Sequence, residues 1–151
     1  HLLRASLPVI RRLMQERGMR VAVGVLWRRH VCYFYHGTPD QPFEQAIGGH
    51  RLYPAERSSI GRILLAEKRK KDVEDLFADD PDVDTGQLLQ DLVQVKKDGY
   101  CRAPDGNSLA VGIGEIPFAG LAFSSVDPDN IPRLVQELHE AAAEIAQSLK
   151  H

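Results

Sequence analysis

The chain has few cysteines, no long apolar run, no excess of basic charge and no catalytic signature, and each lack removes a class of protein. Only Cys32 and Cys101 are present. Two thiols in a chain of ordinary domain size do not make a disulfide scaffold, and they fit a reducing cytosol. No apolar stretch approaches the roughly 20 residues that cross a bilayer, and no leader pattern opens the chain. The expectation is a cytoplasmic protein without a membrane partner. Lys and Arg number 19 against 21 Asp and Glu, a net charge of −2. A nucleic-acid partner calls for a basic excess on one face, so this segment is not expected to bind DNA itself. Its basic pairs are Arg11-Arg12, Arg28-Arg29 and Lys96-Lys97. The run Lys68-Arg69-Lys70-Lys71 reads as a solvated face at the end of a helix, where cations complement the dipole. The chain begins at His1 without an initiator Met, so a piece of a longer protein is expected.

What is present is ordinary for a soluble domain. The 151 residues are 43% hydrophobic and 26% charged, enough for one domain, 1–151, with a real core. Ser6 to Arg17 reads as a helix, with Pro8 in its first turn, an apolar stripe through Leu13 and Gly18 as its stop. Two β-rich runs, Arg20 to Trp27 and His30 to His36, flank the polar turn Arg28-Arg29 and predict a hairpin. In the second run Val31, Tyr33 and Tyr35 alternate against Cys32 and Phe34. Pro42 to Ile47 reads as a third strand, and Gly48-Gly49 opens an irregular stretch through Pro54. Helices are expected from Ser58, over Asp72 to Ala78, and from a Thr85 cap to Gly99, with an acidic loop at Asp79 to Asp84. Three short β runs follow, Tyr100 to Ala103, Ser108 to Gly114 and Phe118 to Val126. Ile131 to Leu149 closes the chain as an amphipathic helix. Hairpins exclude the alternating pattern of a parallel doubly wound sheet. The order suits an α+β fold: one antiparallel sheet of about six strands, terminal helices on one face and mid-chain helices on the other. A sheet covered this way leaves a concave space under the covering loops.

The search for chemistry is mostly negative. His30, Cys32 and His36 fall on one strand face by even spacing, and imidazole and thiolate are zinc ligands. His36 would sit about 13 Å along the strand from Cys32, so a metal site would need His50 or Cys101, and no metal is expected. Cys101 with a distant histidine lacks local support for an activated thiol. Gly112-Ile-Gly114 lies inside a strand-like run and is no dinucleotide fingerprint. No phosphate-binding loop, His-Glu-x-x-His or Gly-x-Ser-x-Gly occurs. Glu56 reads as a support for Arg57. Neither a cofactor nor a catalytic residue is expected. One feature is better placed. Pro54-Ala-Glu-Arg57-Ser58-Ser59-Ile60-Gly61 brings a loop into a helix, with two hydroxyls, free backbone N–H groups and Arg57 converging. That geometry suits a carboxylate or other anion. A plain serine cap is the equal alternative.

These residues also carry a resemblance. Gly48 to Pro54 followed by Ser58-Ser-Ile-Gly61-Arg-Ile-Leu-Leu-Ala66 resembles the effector-binding domain of isocitrate-lyase-regulator (IclR) type transcription factors. Leu13 to Gly18, Val21 to Leu26, Val31-Cys-Tyr33, Val93 to Tyr100, Ser108 to Ile113 and Ala119 to Ser125 resemble further landmarks in the same order. The resemblance spans nearly the whole chain. It implies a GAF-like (profilin-like) fold with a six-stranded antiparallel sheet and helices on both faces. It implies a winged helix-turn-helix missing before His1, through which alone DNA is contacted. It implies a homodimer or tetramer and a small metabolite, commonly an organic acid, held over the sheet. Carried onto this chain, the lining is Ser58, Ser59 and Ile60, then Ser108, then Phe123 and Ser125. Ser108 stands where cysteine is common, Phe123 where a small hydroxyl residue is usual, and Arg57 where a small residue is common. Cys101 to Asp105 replaces a longer acidic stretch. The expected function is effector sensing and oligomerisation. The alternatives are a structural dimerisation module whose pocket is filled by its own side chains, Phe123 among them, and a metal- or cysteine-dependent enzyme.

Overall fold

The computed structural model describes residues 1–47 and 52–150. The expected Gly48-Gly49 loop, the resemblance at Gly48 to Arg51 and the candidate ligand His50 lie outside the described residues. The elements run α1 (Leu2–Arg17), β1 (Val21–Trp27), β2 (His30–Gly37), α2 (Phe43–Ala46) and β3 (Leu52–Pro54). A 3₁₀ turn, Ala55–Arg57, leads into α3 (Ser59–Leu65), then α4 (Lys70–Phe77) and α5 (Thr85–Asp98). β4 (Cys101–Arg102), β5 (Ser108–Ile113) and β6 (Ala119–Ser124) precede α6 (Ile131–Leu149). The strands form one six-stranded sheet in the order β3-β2-β1-β6-β5-β4. Every pairing is antiparallel.

The two faces of the sheet differ in side-chain size. Val21 and Val23 of β1, Leu109 and Val111 of β5, and Leu121 and Phe123 of β6 pack under α1 and α6. Ala22, Ala110 and Ala122 point the other way, toward α3, α4 and α5. The small side chains let α3 lie directly on the sheet. A Cβ added to Gly120 would stand 2.6 Å from Ile60 Cγ2, closer than atoms can approach. A Cβ on Gly61 would stand 2.3 Å from the Ala55 carbonyl oxygen, so the 3₁₀ turn and α3 also require that glycine.

Several expectations are corrected by the structure. α1 begins at Leu2, which puts Pro8 inside the helix, past the first turn. The missing N–H there costs a helix bond, which packing of Val9, Ile10 and Leu13 offsets. Pairs from Arg12 to Glu144 and from Arg17 to Glu137 tie α1 to α6. Residues 43–46 are helical where a strand is expected, and only Ile47 bridges to Tyr35. The third strand is Leu52–Pro54 instead. The cap of α5 is Asp84, whose carboxylate accepts the Gln87 N–H at 3.1 Å, not Thr85. The basic run lies at the start of α4, with Arg69 as the cap residue, and not at a helix end.

The sharpest departure is in β2. Its register to β1 slips between Val23 and Gly24, opposite Tyr35 and Tyr33, leaving Phe34 as an extra residue. Such a bulge reverses the alternation beyond it. Val31 and Tyr33 pack on the α3 side, whereas Tyr35 enters the α1–α6 core. His36 comes round to the α3 side and stacks on Tyr33, ring centroids 5.0 Å apart.

Candidate functional site

β3 and its 3₁₀ turn carry the chain up over the sheet, and α3 brings it back down. Ser58 is the N-cap of α3, and its Oγ accepts the Gly61 N–H at 3.0 Å. That hydroxyl also lies 3.5 Å from the Tyr33 Oη. Ser59 is buried, and its Oγ accepts a hydrogen bond from Ser108 Oγ at 2.8 Å. Ser58 thus caps its own helix, and Ser59 ties α3 to β5. The hydroxyls still border a cavity of about 170 Å³, formed between α3, β1, β2 and the β5–β6 pair.

The cavity brings together Arg57, Ser58, Ser59, Ile60 and Ser108. It does not include Phe123 or Ser125. Phe123 pairs with Val21 and Leu109 and packs under α1 and α6, on the far face of the sheet. Ser125 lies beyond the strand, exposed, with φ of 59°. Between them, Ser124 pairs with Ser108 across the ladder and lines the cavity with Ala122. A reading displaced by one residue in β6 moves every side chain to the wrong face. The signal lay in size: Gly120, Ala122 and Ser124 are small, Leu121 and Phe123 large. Phe123 therefore neither narrows nor fills this space.

Sequence reasoning also missed Arg20, Tyr33, Tyr53 and Asn107 as lining residues, and His36 in that role. Arg20 sits just before β1, and the bulge at Phe34 aims both Tyr33 and His36 at the cavity. Arg20 and Arg57 are exposed at its edge. Among the described residues neither has an ion-pair partner, and no ion pair joins Glu56 to Arg57. The Glu56 carbonyl instead accepts the Arg62 Nε–H at 2.7 Å. Asp105 is the acidic side chain of the lining. Burial pushes the Tyr33 phenol above its ordinary pKa, against the hydrogen bond to Ser58, so it is neutral at physiological pH and available to donate.

The other chemical candidates come apart. Cys32 pairs with Val25 on the α1–α6 side of the sheet, and the bulge puts His36 on the opposite side. Among the described residues no group of three His, Cys, Asp or Glu side chains gathers to hold a metal. Cys101 is buried, and burial pushes its thiol up to about 12. A thiol held protonated is a poor nucleophile. No described helix is long and apolar enough to cross a membrane.

The family described as bacterial transcriptional regulator IclR C-terminal matches residues 1–111. No curated protein gives a significant match to the chain. Among solved structures, the C-terminal domain of the E. coli transcriptional regulator KdgR is similar at a TM-score of 0.82 over 99% of both chains, with 22% identity. An IclR homolog from Microbacterium hydrocarbonoxydans, complexed with 4-hydroxybenzoate, is similar at 0.82 and 23% identity, over 99% of this chain and 68% of that one. The inducer-binding domain of a PobR double mutant from Acinetobacter, in complex with 3-hydroxybenzoic acid, is similar at 0.79 and 20% identity, over 97% and 98%. These likenesses agree with the antiparallel sheet and two helical layers, and with the motifs from Leu13 to Val111 that fall in the matched segment. The chain belongs to the IclR C-terminal domain family of bacterial transcriptional regulators.

Proposed function

We propose that residues 1–151 form the effector-sensing domain of a cytoplasmic IclR-type regulator, and that the cavity under residues 54–61 takes a small monoanionic organic acid. The observation that carries this reading is charge at the cavity. Two guanidinium groups without ion-pair partners among the described residues, Arg20 and Arg57, share a lining with four serine hydroxyls and the Tyr33 phenol. Asp105 offsets one of the two fixed positive charges, which favours a single carboxylate over a dianion. The size suits one ring or a short chain, since an apolar cavity of about 150 Å³ accepts benzene. The hydroxybenzoates held by two structurally similar regulators are acids of this size class.

In this reading the domain also pairs with a copy of itself, and DNA is contacted by a winged helix-turn-helix that precedes His1 in the full-length protein. The effector changes DNA affinity only by binding one arrangement of the paired domains better than the other. The test is a thermal-shift screen of the chain against aromatic and aliphatic monocarboxylates. A ligand at 100 times its Kd adds about 2.7 kcal/mol of stability, a rise of roughly 5–10 °C for a domain of this size. Arg57→Ala is expected to weaken the active acid about ten-fold through loss of a charged hydrogen bond, and Ser59→Ala to weaken it less. A screen in which no acid raises the melting temperature at millimolar concentration refutes the reading.

A further inference from the structure

A larger apolar space, about 390 Å³, lies at the C-terminal end of α3, whose N-terminal end borders the first cavity. It runs between α4 and α5, and shares no lining residue with the first. Leu65, Val73 and Leu92 form its buried floor. Leu89 and Val93 make one wall, and Val93 is 69% exposed although it is a β-branched apolar residue. The spacing explains the shape. Leu89, Leu92, Val93, Lys96 and Lys97 fall at i, i+3, i+4, i+7 and i+8, one stripe along α5.

The rim is wholly cationic: Lys68, Lys70, Lys96 and Lys97. Lys96 lies 3.5 Å from Glu67. Among the described residues the other three lysines have no ion pair. Lys70 stands in the first turn of α4, where a cation opposes the helix dipole. Three lysines without an ion pair among the described residues stand beside the apolar floor, and the side chain on a four-carbon stem lets each ammonium swing over the groove.

We propose that this groove is a second small-molecule site, for an amphipathic monocarboxylate whose apolar tail lies on Leu65, Val73 and Leu92 while its head meets the lysine rim. The volume falls within the range of ligand pockets. Apolar floor and cationic rim together select against both a neutral hydrocarbon and a small hydrophilic anion. The proposal stands independently of the effector reading.

The test is calorimetric titration of the chain with hexanoate, octanoate and decanoate, with acetate and 1-octanol as controls. Affinity is expected to rise about four-fold per added methylene until the tail fills the groove. Acetate is expected not to compete, and 1-octanol to bind more weakly than octanoate. Lys97→Ala should weaken octanoate about two- to five-fold, and Val93→Asp, an exposed substitution that leaves the core intact, should abolish binding. Arg57→Ala should leave octanoate unaffected while weakening an effector acid, which separates the two sites. Absence of saturable octanoate binding overturns the proposal. So does binding indifferent to Val93→Asp, or lysine variants that change only the oligomeric state, which would assign the groove to a second copy of the chain.

Discussion

Replacing Phe123 by alanine removes a ring that is 0% exposed in the core beneath α1 and α6. Its ladder neighbours Val21 and Leu109 are also fully buried, and the paired backbones hold them in place. The site therefore cannot collapse around the deletion. The transfer cost of the ring is about 3 kcal/mol, and the residual cavity brings the total to about 3–5 kcal/mol. In a chain of this length that lowers the melting temperature by roughly 6–20 °C. Urea unfolding measures it as a drop in midpoint at unchanged slope. Because Phe123 faces away from the cavity under residues 54–61, the affinity of an acid bound there should stay within about two-fold of the parent. Ala122→Leu, one residue earlier and on the other face, reverses the pattern. It costs about 1–3 kcal/mol from overpacking against α3 and removes the ligand-induced shift. If Phe123→Ala abolished acid binding at a stability cost under about 1 kcal/mol, the β6 register described here would be refuted.

The carboxylates that tie α6 to α1 predict an acid dependence. The Arg17 guanidinium holds Glu137 below its ordinary pKa by hydrogen bonding, and Arg12 does the same for Glu144. A carboxylate with a depressed folded pKa stabilises fully above its unfolded value, and this contribution is lost as pH falls through the folded value. Both pairs are partly exposed, so about 0.5 kcal/mol each is expected at pH 7. Glu137→Gln should flatten the decline of the urea midpoint between pH 5 and pH 3, and an unchanged decline would contradict this account. Cys101, with its thiol pushed up to about 12, should resist iodoacetamide at pH 8 while the native fold persists. Peptide mass mapping should find the label on the half-buried Cys32 instead. Equal labelling of both would show that Cys101 is not held as described.

Much of the fold was legible because long elements repeat one signal many times. The α6 stripe from Ile131 to Leu149, the glycine stops at Gly18 and Gly99, and the β1–β2 hairpin all read correctly from local chemistry. The failures fall where one residue decides. Residues 43–46 carry too few positions for a periodicity to separate one helical turn from a strand, and Ile47 bridges to Tyr35 whichever is chosen. The expected cap of α5, Thr85, fell one residue late because Asp84 and Thr85 are both good caps. The bulge at Phe34 has no glycine to announce it. It is visible only in the partner strand, where Val23 meets Tyr35 and Gly24 meets Tyr33.

That bulge and the small face of β6 account for the site together. α3 can reach the sheet only where Gly120 and Ala122 leave room for Ile60. Its N-terminal serines are then anchored from below by Ser108 and from the side by Tyr33. Without the bulge, strict alternation would put His36 on the same face as Phe34 and Cys32, away from Tyr33. With it, an aromatic pair walls the cavity on the β2 side, opposite the β5–β6 ladder. The polar positions of the cavity thus come from four strands, the loops beside them and a helix cap, and apart from Asn107 and Ser108 no two are adjacent in sequence except Arg57, Ser58 and Ser59. Those three were found from sequence for that reason. The residues that join them around the cavity arrive by register, and register is a property of pairs of strands that no single strand displays.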